Sequence, residues 1–430
     1  MKEPIYRKEK YREYSIKTQE AIVKEKDMSK WKLNTVCVHA GEGVDTDTRA
    51  IRRPIHMANS YELPTDVEEL LQVLDWDNLD KYNYTREHSA TPRNLEERLM
   101  AIEGAEDCVV AASGMGIISA VLWTLLEKDA HTVASEVCYT GTQKLLGEYF
   151  PKYGVDVSLV DTTDLDEVKA AIRPDTKVVY VETPGNPIVL ISDIEEIAKM
   201  AHEVGATMVV DSTWSGMTTQ KPLELGADVV IHSATKFING HGDSLGGAAL
   251  GSKAFLKEVR EAGIVHLGAC ISPFNAWLIM RGSVTLPMRM QKHSENAIKV
   301  AQFLESHDKV NMVRFPWLKS HSHHDVAKKQ MSAPSGMINF NLKADLMDHF
   351  EFLEHLEVIT HAVSLGHDQS LVYYLPTAFF FQDMVVFTEA QQEKYTKLMG
   401  DGVFRLSVGI EDADDLIADL SRALVKVRTK

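Results

Sequence analysis

Cysteine is scarce in this chain of 430 residues: there are four, Cys37, Cys108, Cys138 and Cys270. None sits in a C-x-x-C pair, and the spacings suggest no disulfide framework. Cys108 and Cys138 lie in apolar contexts and read as buried thiols. Positive charge is also short, 46 Lys and Arg against 62 Asp and Glu, a formal balance of −16. That argues against a nucleic-acid or anionic-membrane partner, although local fields can still capture small anions. Long apolar runs are missing, so no segment is expected to span a bilayer. The stretch "MKEPIYRKEKYREYSIK" lacks the apolar centre of a secretory signal, and the cytoplasm is the expected compartment. Internal repeats and low-complexity tracts are absent too.

What is present fits a globular protein with a sizeable core: 44% of residues are hydrophobic. The length predicts two domains plus an arm. The divisions expected are 1–88, an arm and extended segment contacting a neighbouring subunit, then 89–285, a large domain, and 286–430, a smaller α+β domain. Residues 1–33 are charge-dense and read as an exposed helical arm; Thr35 to Tyr61 reads as extended. From about Leu95 to Gly251 short apolar strands alternate with amphipathic helices. "CVVAAS", "HTVASE", "KVVYVET", "TMVVDS" and "DVVIHS" are the strands. In "SDIEEIAKMAHEVG", Ile194, Ile197, Ala198 and Ala201 share one helical face. Ser192 and Glu195 are expected to form its capping box, and Gly205 to stop it. Such alternation predicts an α/β fold, a mostly parallel sheet with helices on both faces. Ligands of such sheets sit beyond the carboxyl ends of the strands. The polar residues expected on that rim are Ser113, Glu182, Asp211, Ser233, Thr235 and Lys236.

Three features of the rim carry chemistry. In "AASGMGIIS" a strand ends in a turn that opens a helix, so the amides of Gly114 and Met115 either face a phosphate or ease packing. In "VVDST", Asp211 ends an apolar strand, where a carboxylate needs a cation, a protonated ring nitrogen or a capping role. In "HSATKF", the hydroxyls of Ser233 and Thr235 precede Lys236, whose partly desolvated amine would be nucleophilic. An amine, a phosphate site and a rim carboxylate together match pyridoxal 5′-phosphate, which has an aldehyde, a phosphate and a pyridine nitrogen. The S-x-x-K spacing also occurs in serine β-lactamases, but neither S-D-N nor K-T-G is found here.

With "YTR", "VETPGNP", "GADVVIHSATKFINGHGDSLGG" and "RLSVGIED" in this order, the sequence from about Cys37 onward resembles the Cys/Met-metabolism enzymes dependent on pyridoxal phosphate. The resemblance implies a fold type I transferase architecture and a homotetramer built as a dimer of catalytic dimers. It implies that Lys236 holds the cofactor aldehyde as an imine and that Asp211 keeps the pyridine nitrogen protonated. Ser233, Thr235, Gly114 and Met115 would bind the phosphate. Tyr139 would stack on the ring and relay protons, and Asn186 would lie near the ring hydroxyl. Tyr84 and Arg86 would reach the phosphate of a neighbouring subunit. Arg405 would grip the substrate carboxylate, with Ser364 beside it. The implied reaction is α,γ-elimination on an L-methionine- or homoserine-derived amino acid, as in methionine γ-lyases. Cystathionine γ-lyase, cystathionine γ-synthase, O-acylhomoserine sulfhydrylase and a γ-lyase for a guanidino amino acid such as canavanine remain alternatives.

The chain departs from its relatives at places that bear on substrate choice. Val363 stands where cystathionine lyases often carry glutamate, and Thr140 and Gly141 follow the tyrosine where methionine γ-lyases typically carry a cysteine. "YLPTAFFFQDMVV" replaces a familiar "HP…TH" segment, and "AIRRPIHMANSY" brings in Arg52 and Arg53. The "HSHHD" cluster, His321 to Asp325, fits no zinc spacing and reads as a solvated loop. No metal site is expected. His241 reads as a turn residue.

Overall fold

Apolar strands bounded by polar turns assemble into two sheets. The computed structural model describes residues 28–45, 47–75 and 78–428. The helical arm expected over residues 1–33 lies, up to residue 27, outside the described residues; Met28–Lys30 is a single 3-10 turn.

The first sheet has seven strands: β1 (Asp107–Ala111), β2 (His131–Ser135), β3 (Asp156–Val160), β4 (Thr176–Glu182), β5 (Thr207–Asp211), β6 (Val229–His232) and β7 (Gly247–Gly251), in the order β1-β7-β6-β5-β4-β2-β3. Strands β3, β2, β4, β5 and β6 run parallel, and β7 is antiparallel to both β6 and β1. Both faces are covered. The helix Gly114–Leu125 packs Ile117 and Val121 on one face with Val109 and Ile231; Ile194–Glu203 packs Ile197 and Ala201 on the other with Val179 and Val210. Burial on both sides explains the unbroken Val-rich runs. The second sheet holds β8 (Val310–Arg314), β9 (Met337–Leu342), β10 (Thr360–His361), β11 (Leu371–Pro376) and β12 (Gly402–Ser407), in the order β10-β11-β12-β9-β8. The long helix Leu286–Ser306 and the last helix Ala413–Lys426 cover it through Val300, Leu304, Leu416 and Leu420.

One strand was not expected, and three local expectations are corrected. Strand β7, "GAALG", carries little β-forming signal, yet a side chain at Gly247 would lie 2.3 Å from the Ser113 carbonyl oxygen, so the pairing selects a bare backbone. The helix at Ile194 is capped by Asp193, whose Oδ1 accepts from the Glu196 amide at 3.2 Å. Ser192 instead hydrogen-bonds the Thr162 hydroxyl at 2.8 Å. The segment expected to be extended from Thr35 begins within a helix, Leu33–His39, that buries Val36 and Cys37. Finally, "HSHHD" is an anchor rather than a solvated loop. His321 is buried with Nε2 against the Val189 carbonyl at 3.0 Å, His323 Nδ1 accepts from the Ile191 amide at 3.4 Å, and His324 Nδ1 meets the Pro316 carbonyl at 3.0 Å. Burial lowers the His321 pKa to about 4, so the ring stays neutral.

Candidate active site

The carboxyl ends of β4, β5 and β6 bring polar groups onto one rim because adjacent parallel strands stop in register. Glu182 closes β4 directly beside Asp211, which closes β5. Asp211 is buried; its Oδ1 accepts from the Thr213 amide at 3.0 Å and hydroxyl at 2.6 Å, and its Oδ2 from the Tyr180 hydroxyl at 3.3 Å. No cation pairs with it among the described residues. Burial raises its pKa against the pull of those hydrogen bonds. Glu182 is pushed well up by burial and then by the charge of Asp211. Two carboxyls so placed do not both ionise cheaply, and a cation docked at Asp211 would relieve the pair.

Glu182 also ties two loops together. Its Oε2 accepts from the Tyr139 amide at 2.7 Å and its Oε1 from the Asn186 amide at 2.9 Å. Tyr139 thereby begins the short helix Thr140–Lys144 with its side chain 45% exposed, which leaves the hydroxyl accessible at the mouth. The helix changes pitch as it proceeds: it widens at Leu145–Tyr149 and tightens at Phe150–Tyr153.

The helix Gly114–Leu125 points its N-terminus at the same rim. Ser113 caps it by accepting from the Gly116 amide at 3.0 Å. The amides of Gly114 and Met115 find no acceptor among the described residues, as the first amides of a helix do not. A β-carbon on Gly114 would sit 2.8 Å from both Cβ and Oγ of Ser233, so the glycine lets the loop after β6 come alongside. Thr213 fixes that loop by accepting from the Ser233 amide at 2.8 Å. The Ser233 hydroxyl has no hydrogen-bond partner among the described residues, whereas Thr235 exchanges two hydrogen bonds with the Gly246 backbone at 3.1 and 3.0 Å. Two free amides, a free hydroxyl and a helix dipole make an anion cradle.

Lys236 follows. Its Nζ donates to the Ser364 hydroxyl at 3.2 Å. Burial, and then the nearby charge of Arg405, lower its pKa from 10.5 to about 8. Ser364 is held at φ 81°, a left-handed conformation costly for a residue with a side chain. That geometry turns its carbonyl toward Arg405, whose Nη2 donates to it at 3.1 Å. Arg405 Nη1 donates to Asn186 Oδ1 at 3.1 Å, and the guanidinium lies 5.7 Å from the Tyr373 ring centre on the paired strand β11. Burial lowers the Arg405 pKa to about 10, and it remains a cation at neutral pH.

The structure therefore gathers Lys236, Ser364, Arg405 and Asn186 by direct hydrogen bonds, Tyr139 and Asp211 through Glu182, and Gly114 and Ser233 through packing. Met115 stands beside them on the helix terminus. Val363 is 66% exposed next to Ser364. Tyr84 and Arg86 are not joined to this cluster within the chain: Arg86 Nη1 donates to the Val265 carbonyl at 2.6 Å and lies over the Tyr84 ring. Arg52 and Arg53 are engaged elsewhere, Arg52 with Glu42 at 2.8 Å and Arg53 with Asn94. Thr213, Tyr180 and Tyr373 were not foreseen. Tyr180 and Tyr373 act on side chains of the neighbouring strand, and Thr213 joins Asp211, two residues before it, to the Ser233 amide; no motif signals these contacts.

The comparisons with known proteins agree with the geometry. Residues 34–425 match the family model described as Cys/Met metabolism PLP-dependent enzyme. A canavanine gamma-lyase of Rhizobium leguminosarum bv. trifolii is 39% identical over 402 residues, covering 93% of this chain and 97% of the relative. An L-methionine gamma-lyase of Treponema denticola is 38% identical over 405 residues, covering 94% and 99% respectively. A solved structure of cystathionine gamma-lyase from Lactobacillus plantarum complexed with L-serine superposes with a TM-score of 0.83 at 32% identity, covering 93% of this chain and 100% of that one.

Proposed function

The chain belongs to the Cys/Met metabolism family of PLP-dependent enzymes, and from that premise we propose that it catalyses α,γ-elimination on an L-amino acid with a leaving group on Cγ. The products are a 2-oxo acid, ammonia and the released γ-group. Methionine and canavanine are the substrates to try first, because the named relatives act on these at nearly equal identity.

The residues fit pyridoxal phosphate. Asp211, a buried carboxylate without a cation, suits a protonated pyridine nitrogen. The cradle at Gly114, Met115 and Ser233 suits the phosphate, and Lys236 the aldehyde. When bound, the cofactor supplies a carbonyl for condensation with amines and a ring that withdraws electrons from the substrate's Cα.

In this reading the chain's own groups divide the work. Arg405, its plane set by Asn186 and the Ser364 carbonyl, holds the substrate carboxylate and so orients Cα. Lys236, with a pKa near 8, has an amine basic enough to take the Cα proton and deprotonated often enough to act near neutrality. Tyr139 at the mouth donates a proton to the group leaving Cγ. Val363 supplies an apolar edge without a carboxylate, which favours a small or neutral distal end over the second ammonium of cystathionine.

The observation that carries this function is the contact of a base of lowered pKa with the residue that also bonds the half-buried arginine: Lys236 to Ser364 to Arg405. The experiment is 2-oxo acid release from methionine, canavanine, cystathionine and O-acylhomoserines, with and without an added thiol. Release without thiol from the first two supports elimination. Product formed only with thiol would replace it with γ-replacement.

The layout 1–88, 89–285 and 286–430 belongs to the same proposal, as do a cytoplasmic homotetramer and a phosphate contact from the neighbouring Tyr84 and Arg86. Exposed apolar side chains at Ile51, Met57, Val67 and Leu71 support a partner surface just before that pair. No helix among the described residues is long and apolar enough to cross a membrane.

A further inference from the structure

The turn that carries Ser364 also carries a histidine that no motif singled out. His367 Nε2 lies 3.2 Å from Ser364 Oγ, and the same Oγ lies 3.2 Å from Lys236 Nζ. One hydroxyl thus bridges an amine and an imidazole. A hydroxyl has one proton to give and lone pairs to receive, so it can pass a proton between two such groups without a net change of its own.

The turn that carries the imidazole is fixed by backbone hydrogen bonds on both sides of His367. The Gly366 amide donates to Ser407 Oγ at 2.8 Å, the Asp368 amide to the Gly240 carbonyl at 2.9 Å, and the Ile410 amide to the Asp368 carbonyl at 2.8 Å. The ring rests on Gly242, where a β-carbon would come within 2.7 Å of Nδ1. Its surroundings are mixed in charge: Lys236 faces it from the loop after β6, with Arg405 beyond Ser364, while Asp368 on its own turn and Asp243 on the Gly240–Gly242 turn face it as carboxylates. Asp243 is partly occupied by the Asn239 amide at 2.9 Å. Burial first, and then the Lys236 charge, lower the His367 pKa, so the ring is neutral and able to accept a proton at neutral pH.

We propose that His367 is a positioning residue for Lys236 that exchanges protons with its amine through Ser364. The proposal rests on Lys236 being the base of the elimination. After taking the Cα proton, the Lys236 ammonium donates an N–H proton to Ser364 Oγ while the Ser364 hydroxyl proton passes to His367 Nε2. The amine is then neutral, the hydroxyl is restored, and the imidazole is a cation with protons on both nitrogens. The reverse transfer recharges the amine when it must act as an acid. The proton taken up by the amine thus has a second site, the imidazole, one hydroxyl away. An elimination that moves protons at more than one carbon benefits from a base that is reset in place.

The test compares the holoenzyme with His367→Gln and His367→Ala. Glutamine can keep a hydrogen bond to Ser364 but cannot take up a proton. With methionine or canavanine as substrate, His367→Gln is expected to lower kcat about tenfold or more, less than the roughly 10²- to 10⁴-fold of a direct general acid or base, and to leave KM within about twofold. The kcat–pH profile should lose its lower limb. Added imidazole should restore His367→Ala in proportion to its free-base concentration. A second readout uses the cofactor-free protein: acetylation of Lys236 by acetic anhydride, followed across pH by peptide mass, should show two steps in the wild type and one in His367→Gln. Wild-type kcat, pH profile and acetylation curve in His367→Gln would overturn the proposal. Borohydride fixation of the cofactor to Lys236 in the same preparations keeps the two claims apart, since its failure would remove the base itself rather than the relay.

Discussion

At the scale of single residues, the site depends on groups held in costly states by their neighbours. Arg405 is half-buried, and its fork is spread between Asn186 and Ser364. A lysine there would keep the charge and lose the planar fork. Arg405→Lys is therefore expected to reduce kcat/KM for the amino acid about 100-fold, roughly the 2–3 kcal/mol of a charged hydrogen-bond pair. Steady-state kinetics with cofactor content held constant checks this. Lys236 gives a second test, on stability. Its pKa in the fold, about 8, lies below the ordinary 10.5. Between those values the unfolded chain binds more protons, so the stability of the cofactor-free protein rises with pH through that window; below it the penalty is fully present. Lys236→Met should flatten this slope in urea titrations at pH 7 to 10, and should make the cofactor-free protein more stable at pH 7. An unchanged slope would mean that the amine is not desolvated as the structure places it.

At the scale of elements, the site is made by where strands and helices end. The helix Gly114–Leu125 can come beside Ser233 only because position 114 lacks a side chain. Gly114→Ala should weaken pyridoxal phosphate binding about tenfold or more while far-UV circular dichroism stays the same, as fluorescence titration would show. Much of this arrangement was legible in the sequence. Apolar runs ending in Glu182, Asp211 and Ser233 announced a rim, and the Ile194, Ile197, Ala198, Ala201 stripe announced its helix. What was not legible depends on contacts between distant segments. The Gly/Ala strand β7 is chosen by the nearness of the Ser113 carbonyl, not by β-propensity. The histidines after His321 look solvated until the backbone they brace at Val189 and Ile191 is seen. Asp193 outcompetes Ser192 as a cap because the Ser192 hydroxyl is already bonded to Thr162. The roles of Tyr180, Thr213 and His367 pass through partners roughly 30, 20 and 130 residues away, or through a single turn with no motif attached, and spacing rules do not reach them.

At the scale of the whole molecule, the chain forms the sheets and the rim, while our proposal draws part of the cofactor site from a neighbour. Within one chain Arg86 is anchored on the Val265 carbonyl and stacked near Tyr84, in front of an exposed apolar segment. Arg86→Ala should release the cofactor about tenfold more readily from the assembled protein, read as absorbance retained after gel filtration. Normal retention would confine the phosphate site to the single chain. All of this presupposes one covalent attachment. Treating the holoenzyme with borohydride and mapping the peptides should find the reduced pyridoxyl group on Lys236 in the peptide that contains Phe237. Finding it on another lysine, or on none, would contradict the account.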